Sequence, residues 1–330
     1  MAEAAAAGKV QETDIGRYRS TRGLDYESLP WKLWERSKKL FWDPADIDFA
    51  QDAVDWQAMS EEERTLVAMS ARGFMVGEEA VTLDIVPLLR CMSDLGRLED
   101  TMYLAMFAME EAKHTEMFRR WFDAVGLDPA SLDDLVRAQQ AALGERRTGV
   151  FDGGLTKVMR RLDDDHSPQA ILDASLVYNQ LVEGVMAIAG YQRWEQTFRR
   201  LGKLPGLEAG LKLTQRDERR HIAYGTYLAR RILAENPELW EWAEQRWARI
   251  TAGFGGGYDA AGPRSAQPQS AQPRSAGSRA AADVDEQYEL YRRLSKRRLE
   301  ALAVARAMNV TEVEASAVEA FEPEELRHVS

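Results

Sequence analysis

The chain of 330 residues lacks most of what a cross-linked or thiolate-based metal protein requires. Its single cysteine, Cys91, excludes a disulfide framework, a cysteine-rich zinc site and an iron–sulfur cluster, and we expect this side chain to be a small, buried or half-buried apolar one. The formal net charge of −11 argues against a general nucleic-acid-binding protein and against an electrostatic membrane anchor. No secretory leader pattern opens the sequence, and no continuous apolar run approaches the ~18 residues of a membrane span. We therefore expect a cytoplasmic protein.

Strand patterns are also missing, because no two segments alternate between apolar and polar residues with period two. Apolar residues instead recur at helical spacing in a few long segments. Ser60 and Glu63 form the sequence of a capping box before the first of these, and Pro87 should kink its end. The long segments cover about residues 60–92, 95–125, 167–200 and 207–234, with a shorter one at 131–143. These lengths predict an all-α fold, with a four-helix bundle core of the ferritin-like kind and extra helices.

Residues 253–283 have a different composition, dominated by Gly, Ala, Ser, Pro and Gln. Such a segment cannot bury enough apolar surface to order itself, so we interpret it as a flexible insertion. Helical patterning resumes near residue 284, and we expect the helices of 284–330 to pack on the same domain, which then spans 1–330. A linker between two domains is the alternative interpretation.

Three histidines follow a glutamate by three residues, the spacing that places a carboxylate and an imidazole on one helix face. The pair Glu325 and His328 lies at the extreme C-terminus without a partner helix, and we interpret it as coincidence. The other two pairs lie in the middle of long amphipathic helices. A buried glutamate beside a buried histidine is costly unless a cation compensates it. These two pairs are Glu111 with His114 and Glu218 with His221.

Each of these internal pairs also has a mid-helix glutamate on the preceding long helix, namely Glu78 and Glu183. Antiparallel neighbours would bring these midpoints level. Glu78 is favoured over Glu79, because the helix face of Glu78 is apolar while that of Glu79 includes Arg72. The resulting set of four glutamates and two histidines is the donor set of a carboxylate-bridged two-metal site. Its oxygen and imidazole ligands suit iron or manganese, and spacing cannot choose between them.

Several motifs together resemble the small subunit of ribonucleotide reductase, and within that superfamily the ligand-binding oxidases. The reductase-like motifs are FWDP at 41–44, EEAKH at 110–114, NQLVEG at 179–184 and DERRH at 217–221. The motifs similar to the oxidase branch are GEEAVT at 77–82, EAKHTEMFRRWFD at 111–123 and VYNQLVEG at 177–184. The resemblance covers about residues 15–250.

The resemblance implies one Mn and one Fe per chain, with two Fe as the alternative. The Mn site would map to Glu78, Glu111 and His114, and the Fe site to Glu183, Glu218 and His221. It further implies a bound long-chain fatty acid, a homodimer, and an ether cross-link between Val81 and Tyr178. Helical periodicity would not suggest this cross-link, because Tyr178 precedes Glu183 by five residues and an α-helix places it off the ligand face.

Three functions follow from this pattern. The first is an oxygen-activating oxidase acting on a lipid or another hydrophobic substrate. The second is a reductase small subunit. Such a subunit usually carries one tyrosine at the position of Phe118 and another in its tail, whereas this sequence has neither Tyr nor Trp after Tyr291. We therefore do not expect a reductase large subunit as partner, and we interpret Trp42 as packing and Asp217 as orienting a histidine. The third is a metal-dependent fatty-acid carrier or a metal store.

Overall fold

The computed structural model describes residues 23–134, 154–252 and 279–317, and every regular element in these ranges is a helix. The expected all-α fold is thereby confirmed. The helices are α1 (Leu29–Lys39), α2 (Ala50–Ala58), α3 (Glu61–Asp84), α4 (Val86–Asp94), α5 (Leu98–Val125), α6 (Leu155–Arg161), α7 (Pro168–Leu201), α8 (Pro205–Glu235), α9 (Leu239–Thr251) and α10 (Arg279–Ala303). A last helical stretch covers 310–317.

The long helices α3, α5, α7 and α8 form the central bundle and pack against one another. Their ends carry the signals expected from the sequence. At the start of α3, the Ser60 hydroxyl accepts a hydrogen bond from the Glu63 amide, and the Glu63 carboxylate accepts one from the Ser60 amide, which confirms the capping box. Gly126 ends α5 with φ of 69°, a left-handed conformation that glycine adopts without strain.

The segment predicted as one kinked helix over 60–92 is divided into α3 and α4. Only Ile85 separates them, and its backbone stays in the right-handed helical region. Pro87 has no N–H to donate to the carbonyl four residues earlier, so the hydrogen-bond ladder is interrupted one turn before the proline. The short helices α1, α2, α6 and α9 were not predicted from the sequence.

Helix α7 contains a π-helical stretch, Leu176–Ala187, in which backbone hydrogen bonds close over five residues instead of four. The whole helix spans 34 residues and is, by length and average hydropathy, able to cross a membrane. The search of the sequence for continuous apolar runs did not identify it. However, 83% of its most apolar window is buried inside the protein. Within the described part of the chain, it therefore has the properties of a core helix.

Two apolar clusters fill the bundle, one at each end. The first includes Val81, Phe107 and Tyr178, and the second includes Phe118 and Trp121. Along α5 the two clusters are separated by a buried polar layer, which contains the EEAKH motif. The bundle thus encloses its charged groups between two apolar ends.

Cys91 belongs to the first cluster and is fully buried, as expected. Burial raises the pKa of the Cys91 thiol to about 11, so it stays protonated near neutral pH.

Helix α10 lies against the bundle, where the Arg230 guanidinium donates a hydrogen bond of 2.7 Å to the Ala301 carbonyl. Most of the predicted insertion at 253–283 lies outside the described residues, as do most of the predicted helix at 131–143 and the pair Glu325 and His328. The single domain over 1–330 therefore stays a prediction.

The close approach of α7 and α8 gives a first testable prediction. A Cβ atom on Gly225 would lie 2.0 Å from the Cβ of Asn179, whereas one on Gly73 would meet nothing within 4 Å. We expect Gly225→Ala to destabilise the metal-free protein, since overpacking a helix contact costs about 1–3 kcal/mol. Gly73→Ala should be neutral or stabilising, because alanine is the better helix former. Urea unfolding of both variants measures the difference, and equal unfolding midpoints would contradict the close contact.

Candidate metal centre

The polar layer between the two apolar clusters brings together all six side chains that the sequence singled out. They come from four helices, and none is more than 6% exposed. Helix α3 supplies Glu78, α5 supplies Glu111 and His114, α7 supplies Glu183, and α8 supplies Glu218 and His221. The neighbour Glu79 is exposed on the outside of α3.

The six side chains divide into two overlapping groups, each able to hold one metal ion. Within each group, one donor atom from every residue lies within 4.8 Å of the others. The first group consists of Glu78, Glu111, His114 and Glu218, and the second of Glu111, Glu183, Glu218 and His221. Glu111 and Glu218 belong to both groups, so their carboxylates are placed to bridge two ions. The spacing in the sequence anticipated a carboxylate bridge without naming its residues, and the family resemblance mapped each of these two glutamates to one ion.

Both imidazoles turn their Nδ1 atom into the space between the carboxylates. His114 Nδ1 lies 3.3 Å from a Glu78 oxygen and 3.7 Å from a Glu218 oxygen. His221 Nδ1 lies 3.1 Å from a Glu111 oxygen and 3.5 Å from the other Glu218 oxygen.

Several inward-facing oxygen and nitrogen atoms that could bind a metal have no hydrogen-bond partner. They are Glu111 Oε2, Glu183 Oε1, Glu218 Oε2 and His221 Nδ1. Leaving such buried atoms unpaired is costly, and one that belongs to a charged group costs more than the usual 1–3 kcal/mol. Lone pairs that converge on one space are what metal ligation requires. The residues present therefore fit a pair of bound ions.

The ionisation of the carboxylates depends on compensating charge. Burial raises the pKa of Glu183 and Glu218, and repulsion between neighbouring carboxylates raises both further. Burial acts in the same direction on Glu111, but the two histidines that face it hold its pKa below the usual range. Two divalent ions would bring four positive charges to four carboxylates, which makes the inner group neutral when loaded.

A second layer of side chains fixes the orientation of both histidines. His114 Nε2 lies 3.3 Å from an Asp217 oxygen, as the sequence suggested, and His221 Nε2 lies 2.9 Å from a Glu110 oxygen. The Arg220 guanidinium donates to both acids, at 2.6 Å to Glu110 and 2.5 Å to Asp217. These bonds occupy Nε2 and leave Nδ1 free for a metal.

Sequence reasoning missed Glu110 and Arg220, although each stands directly beside a proposed ligand in its motif.

Two further groups complete this outer layer. The Trp42 indole donates a hydrogen bond of 2.7 Å to Asp217, and the Lys113 ammonium lies 3.0 Å from the same oxygen. Lys113 also stands 4.4 Å from the centre of the Trp42 ring. The outer layer thus pairs two acids, Glu110 and Asp217, with two cations, Lys113 and Arg220. Since it is neutral by itself, it leaves no positive charge to offset the inner glutamates.

The π-helical stretch of α7 places Tyr178 beside the proposed ligands. Its hydroxyl donates a hydrogen bond of 3.3 Å to Glu111. The expectation from the sequence was that Tyr178, five residues before Glu183, lies off the ligand face. That expectation assumed an α-helix, whereas in a π-helix five residues make about one turn. Asn179 donates a hydrogen bond of 3.0 Å to Glu183 from the next position along the chain.

An open cavity of about 400 Å³ leads from the protein surface to this centre. Its inner end is formed by carboxylates and by Val81, one turn after Glu78, and its outer end reaches the exposed side chain of Leu66. The wall between them is mostly apolar and includes Met69, Phe74, Val182, Met186 and Trp194. A ligand with an apolar chain could therefore reach the proposed metal ligands.

Residues 25–252 match the family described as ribonucleotide reductase, small chain. The structure of an R2-like ligand-binding oxidase from Sulfolobus acidocaldarius is 34% identical, with a TM-score of 0.75 over 90% of this chain and 97% of the other. The chain belongs to the R2-like ligand-binding oxidases. It is therefore an oxidoreductase within the reductase small-chain family, as its motifs indicated.

Two other structures of R2-like ligand-binding oxidases add information on cofactors. One variant with a non-activated Mn/Mn cofactor is 30% identical, with a TM-score of 0.72 over 86% of this chain and 97% of that one. Another variant, with an aerobically reconstituted Mn/Fe cofactor, is 30% identical, with a TM-score of 0.68 over 88% and 96%. The relatives of this oxidase thus carry two-metal centres.

The different environments of Glu78 and Glu79 allow a matched test of the site. We expect Glu78→Gln to bind fewer metal ions per chain, because it removes one ligand charge from the first group. Glu79→Gln should bind as many as the parent protein, since Glu79 faces solvent. Elemental analysis after reconstitution with Mn(II) and Fe(II) and removal of free metal gives the comparison. Equal metal content in the two variants would remove Glu78 from the ligand set.

Proposed function

We propose that this oxidase binds one Mn and one Fe and reacts with dioxygen beside a bound long-chain fatty acid. The observation that carries the proposal is the largely apolar cavity that ends on the buried glutamates. Two bound ions would supply the electrons and the Lewis acidity for reducing dioxygen. The ligands would be Glu78, Glu111 and His114 for Mn and Glu183, Glu218 and His221 for Fe, with Glu111 and Glu218 shared.

The protein's own groups prepare this reaction. The buried pairs of His114 with Asp217 and His221 with Glu110 hold the imidazoles in one orientation and one tautomer. The apolar clusters exclude water from two sides of the centre, and a ligand in the cavity would exclude it from the third, which would strengthen the charge interactions inside. The geometry of the centre is thereby set before the metals and substrate bind.

A fatty acid matches the cavity in both shape and chemistry. The volume of about 400 Å³ falls within the ~300–1,000 Å³ range of small-molecule sites. A carboxylate head group would lie at the inner, metal-binding end, and the acyl chain along the apolar wall. Each buried methylene contributes about 0.8 kcal/mol, so a long chain should remain bound during purification. A lipid or another hydrophobic molecule is accordingly the proposed substrate.

We further propose the ether cross-link between the Cβ atom of Val81 and the phenolic oxygen of Tyr178. Support comes from the hydrogen bond between Tyr178 and Glu111, and from Val81, which lines the same cavity as Glu111. Forming the ether breaks one C–H and one O–H bond and releases two electrons and two protons. Two electrons that bound metals would supply, with two solvent protons, would complete the reduction of one dioxygen to two waters.

A reductase role is not supported by the described residues. Phe118 is fully buried at the position where a reductase small subunit usually carries its tyrosine. Tyr291, the last tyrosine of the sequence, lies in α10 and lines the cavity instead of belonging to a terminal tail. The side chain that usually stores the radical in a reductase small subunit is thus replaced here by Phe118.

We also propose that the oxidase forms a homodimer through α3 and α5. These adjacent helices expose large apolar side chains, namely Val76, Leu83 and Met109, which are 42%, 66% and 43% exposed. A second copy of the chain would cover this surface.

A solvent extract of the purified protein tests the ligand proposal. We expect mass spectrometry to find a long-chain fatty acid in stoichiometric amount with the parent protein. Gly73→Leu should lose the acid but keep its metals, because position 73 faces open space in the cavity, away from the ligand set. No long-chain acid in an extract of fully metallated parent protein would contradict the proposal.

Peptide mapping tests the cross-link. After aerobic reconstitution, we expect the peptides that contain Val81 and Tyr178 to be joined, with a mass two hydrogens below their sum. They should stay separate in the metal-free protein and in Tyr178→Phe. Separate peptides in metallated, oxygen-exposed parent protein would count against the ether and favour a metal-dependent lipid carrier.

A further inference from the structure

A row of buried aromatic rings leads away from the metal centre on the side of His221. Phe107 stacks on the His221 ring with 3.6 Å between ring centres and 11° between planes. Tyr103 follows at 6.0 Å from Phe107, and Tyr224 at 5.1 Å from Tyr103. All of these side chains are fully buried. The rings thus form an unbroken path for an electron between His221 and Tyr224.

The two tyrosines of this row differ in what surrounds their hydroxyl groups. The Tyr224 hydroxyl donates a hydrogen bond of 3.0 Å to an Asp100 oxygen, and Arg97 donates two bonds of 3.1 Å to the same carboxylate. The Tyr103 hydroxyl is buried and has no partner. Tyr224 is therefore the one of the pair that has a base within hydrogen-bond reach.

This difference decides where an oxidised ring is stable. A phenol that loses an electron becomes a strong acid, and in a buried site the charged form is costly unless its proton leaves. Burial raises the pKa of Tyr224 well above its ordinary value, so the side chain is a neutral phenol before oxidation. Asp100 can then take the proton as the electron departs. Tyr103 can only relay the electron, because no acceptor stands beside it.

We propose that Tyr224 is a redox-active tyrosine, oxidised when the metal centre reacts with dioxygen. Tyr224 gives one electron through Tyr103 and Phe107 to the centre, and its phenolic proton moves to Asp100. The O–H bond of Tyr224 breaks, an O–H bond forms on Asp100, and a neutral tyrosyl radical remains. This step is open to a centre that has not formed the ether: the two metals would supply the other three electrons, and solvent four protons, so that one dioxygen becomes two waters. The inference rests on the proposed two-metal function and adds a residue that does not contact the metals.

The opposite side of the centre is unsuited to the same role. Trp42 reaches the His114 side through Asp217, but the Lys113 ammonium stands 4.4 Å from its ring centre. A fixed positive charge beside the indole opposes formation of a second positive charge on the ring. The Trp42 N–H also has a carboxylate acceptor in Asp217, so the Lys113 ammonium against its ring is what distinguishes Trp42 from Tyr224.

The experiment uses full-length protein carrying Tyr178→Phe, in which the proposed ether cannot consume oxidising equivalents. We expect electron paramagnetic resonance of samples frozen soon after oxygen addition to show a tyrosyl radical. Ring-deuterated tyrosine should narrow the signal, which identifies the residue type. The signal should be lost when Tyr224→Phe is added, and weakened by Asp100→Asn, which removes the proton acceptor but keeps the side-chain shape.

Tyr227→Phe is the matched control. Its ring lies 6.4 Å from that of Tyr224, but its hydroxyl accepts a 3.0 Å hydrogen bond from Arg231 and so faces a cation instead of a base. The radical should persist in this variant. A radical that also persists after Tyr224→Phe, or no tyrosyl radical in fully metallated protein, would overturn the inference. Metal analysis of the same samples separates these outcomes from failure of the two-metal function, which would show as metal-free protein.

Discussion

The arrangement of this bundle depends on four carboxylates buried at its centre. Apolar clusters close both ends, and the outer layer of Glu110, Asp217, Lys113 and Arg220 is neutral by itself. The outer layer therefore contributes no net positive charge, the two histidines can offset only part of the charge of the four glutamates, and several glutamate oxygens have no hydrogen-bond partner. Such a group is costly in a folded protein unless ions from solution compensate it. The free energy of metal binding therefore contributes directly to the stability of the folded core.

The π-helical stretch of α7 is the local deviation that makes this centre possible in its observed form. Winding by five residues brings Tyr178 onto the same side as Glu183, and the neighbouring Asn179 holds the Glu183 carboxylate. A regular α-helix would turn the tyrosine away from Glu111. The same stretch also contacts α8, where Gly225 lets the two helices approach closely at Asn179. The tyrosine, the glutamate and the helix contact therefore depend on one irregularity.

Much of the fold and of the candidate metal centre could be predicted from the sequence, and the features that could not be predicted have physical reasons. Paired Glu-x-x-His spacing on long amphipathic helices indicated which six side chains the structure brings together, because helical periodicity is local. The π-helical winding leaves no signal of this kind, so the position of Tyr178 could be suggested only by family resemblance. The sharing of Glu111 and Glu218 was missed because it depends on how α5 and α8 face each other. Glu110 and Arg220 lay within the motifs but needed the partner helix to show their roles.

The two histidines are alike in sequence but not in their surroundings, and this asymmetry bears on how an oxidase controls its oxidant. Behind His114 stand Asp217, an indole and a buried ammonium, a set in which positive charge is already present. Behind His221 stand Glu110, which accepts a hydrogen bond from Arg220, and stacked rings that end at a tyrosine paired with a carboxylate. The difference lies at the rings themselves: the Lys113 ammonium stands against the face of the Trp42 indole and opposes positive charge there, whereas Asp100 accepts the hydrogen bond of the Tyr224 hydroxyl. The protein thus distinguishes the two sides of a nearly symmetric ligand set through groups that touch no metal.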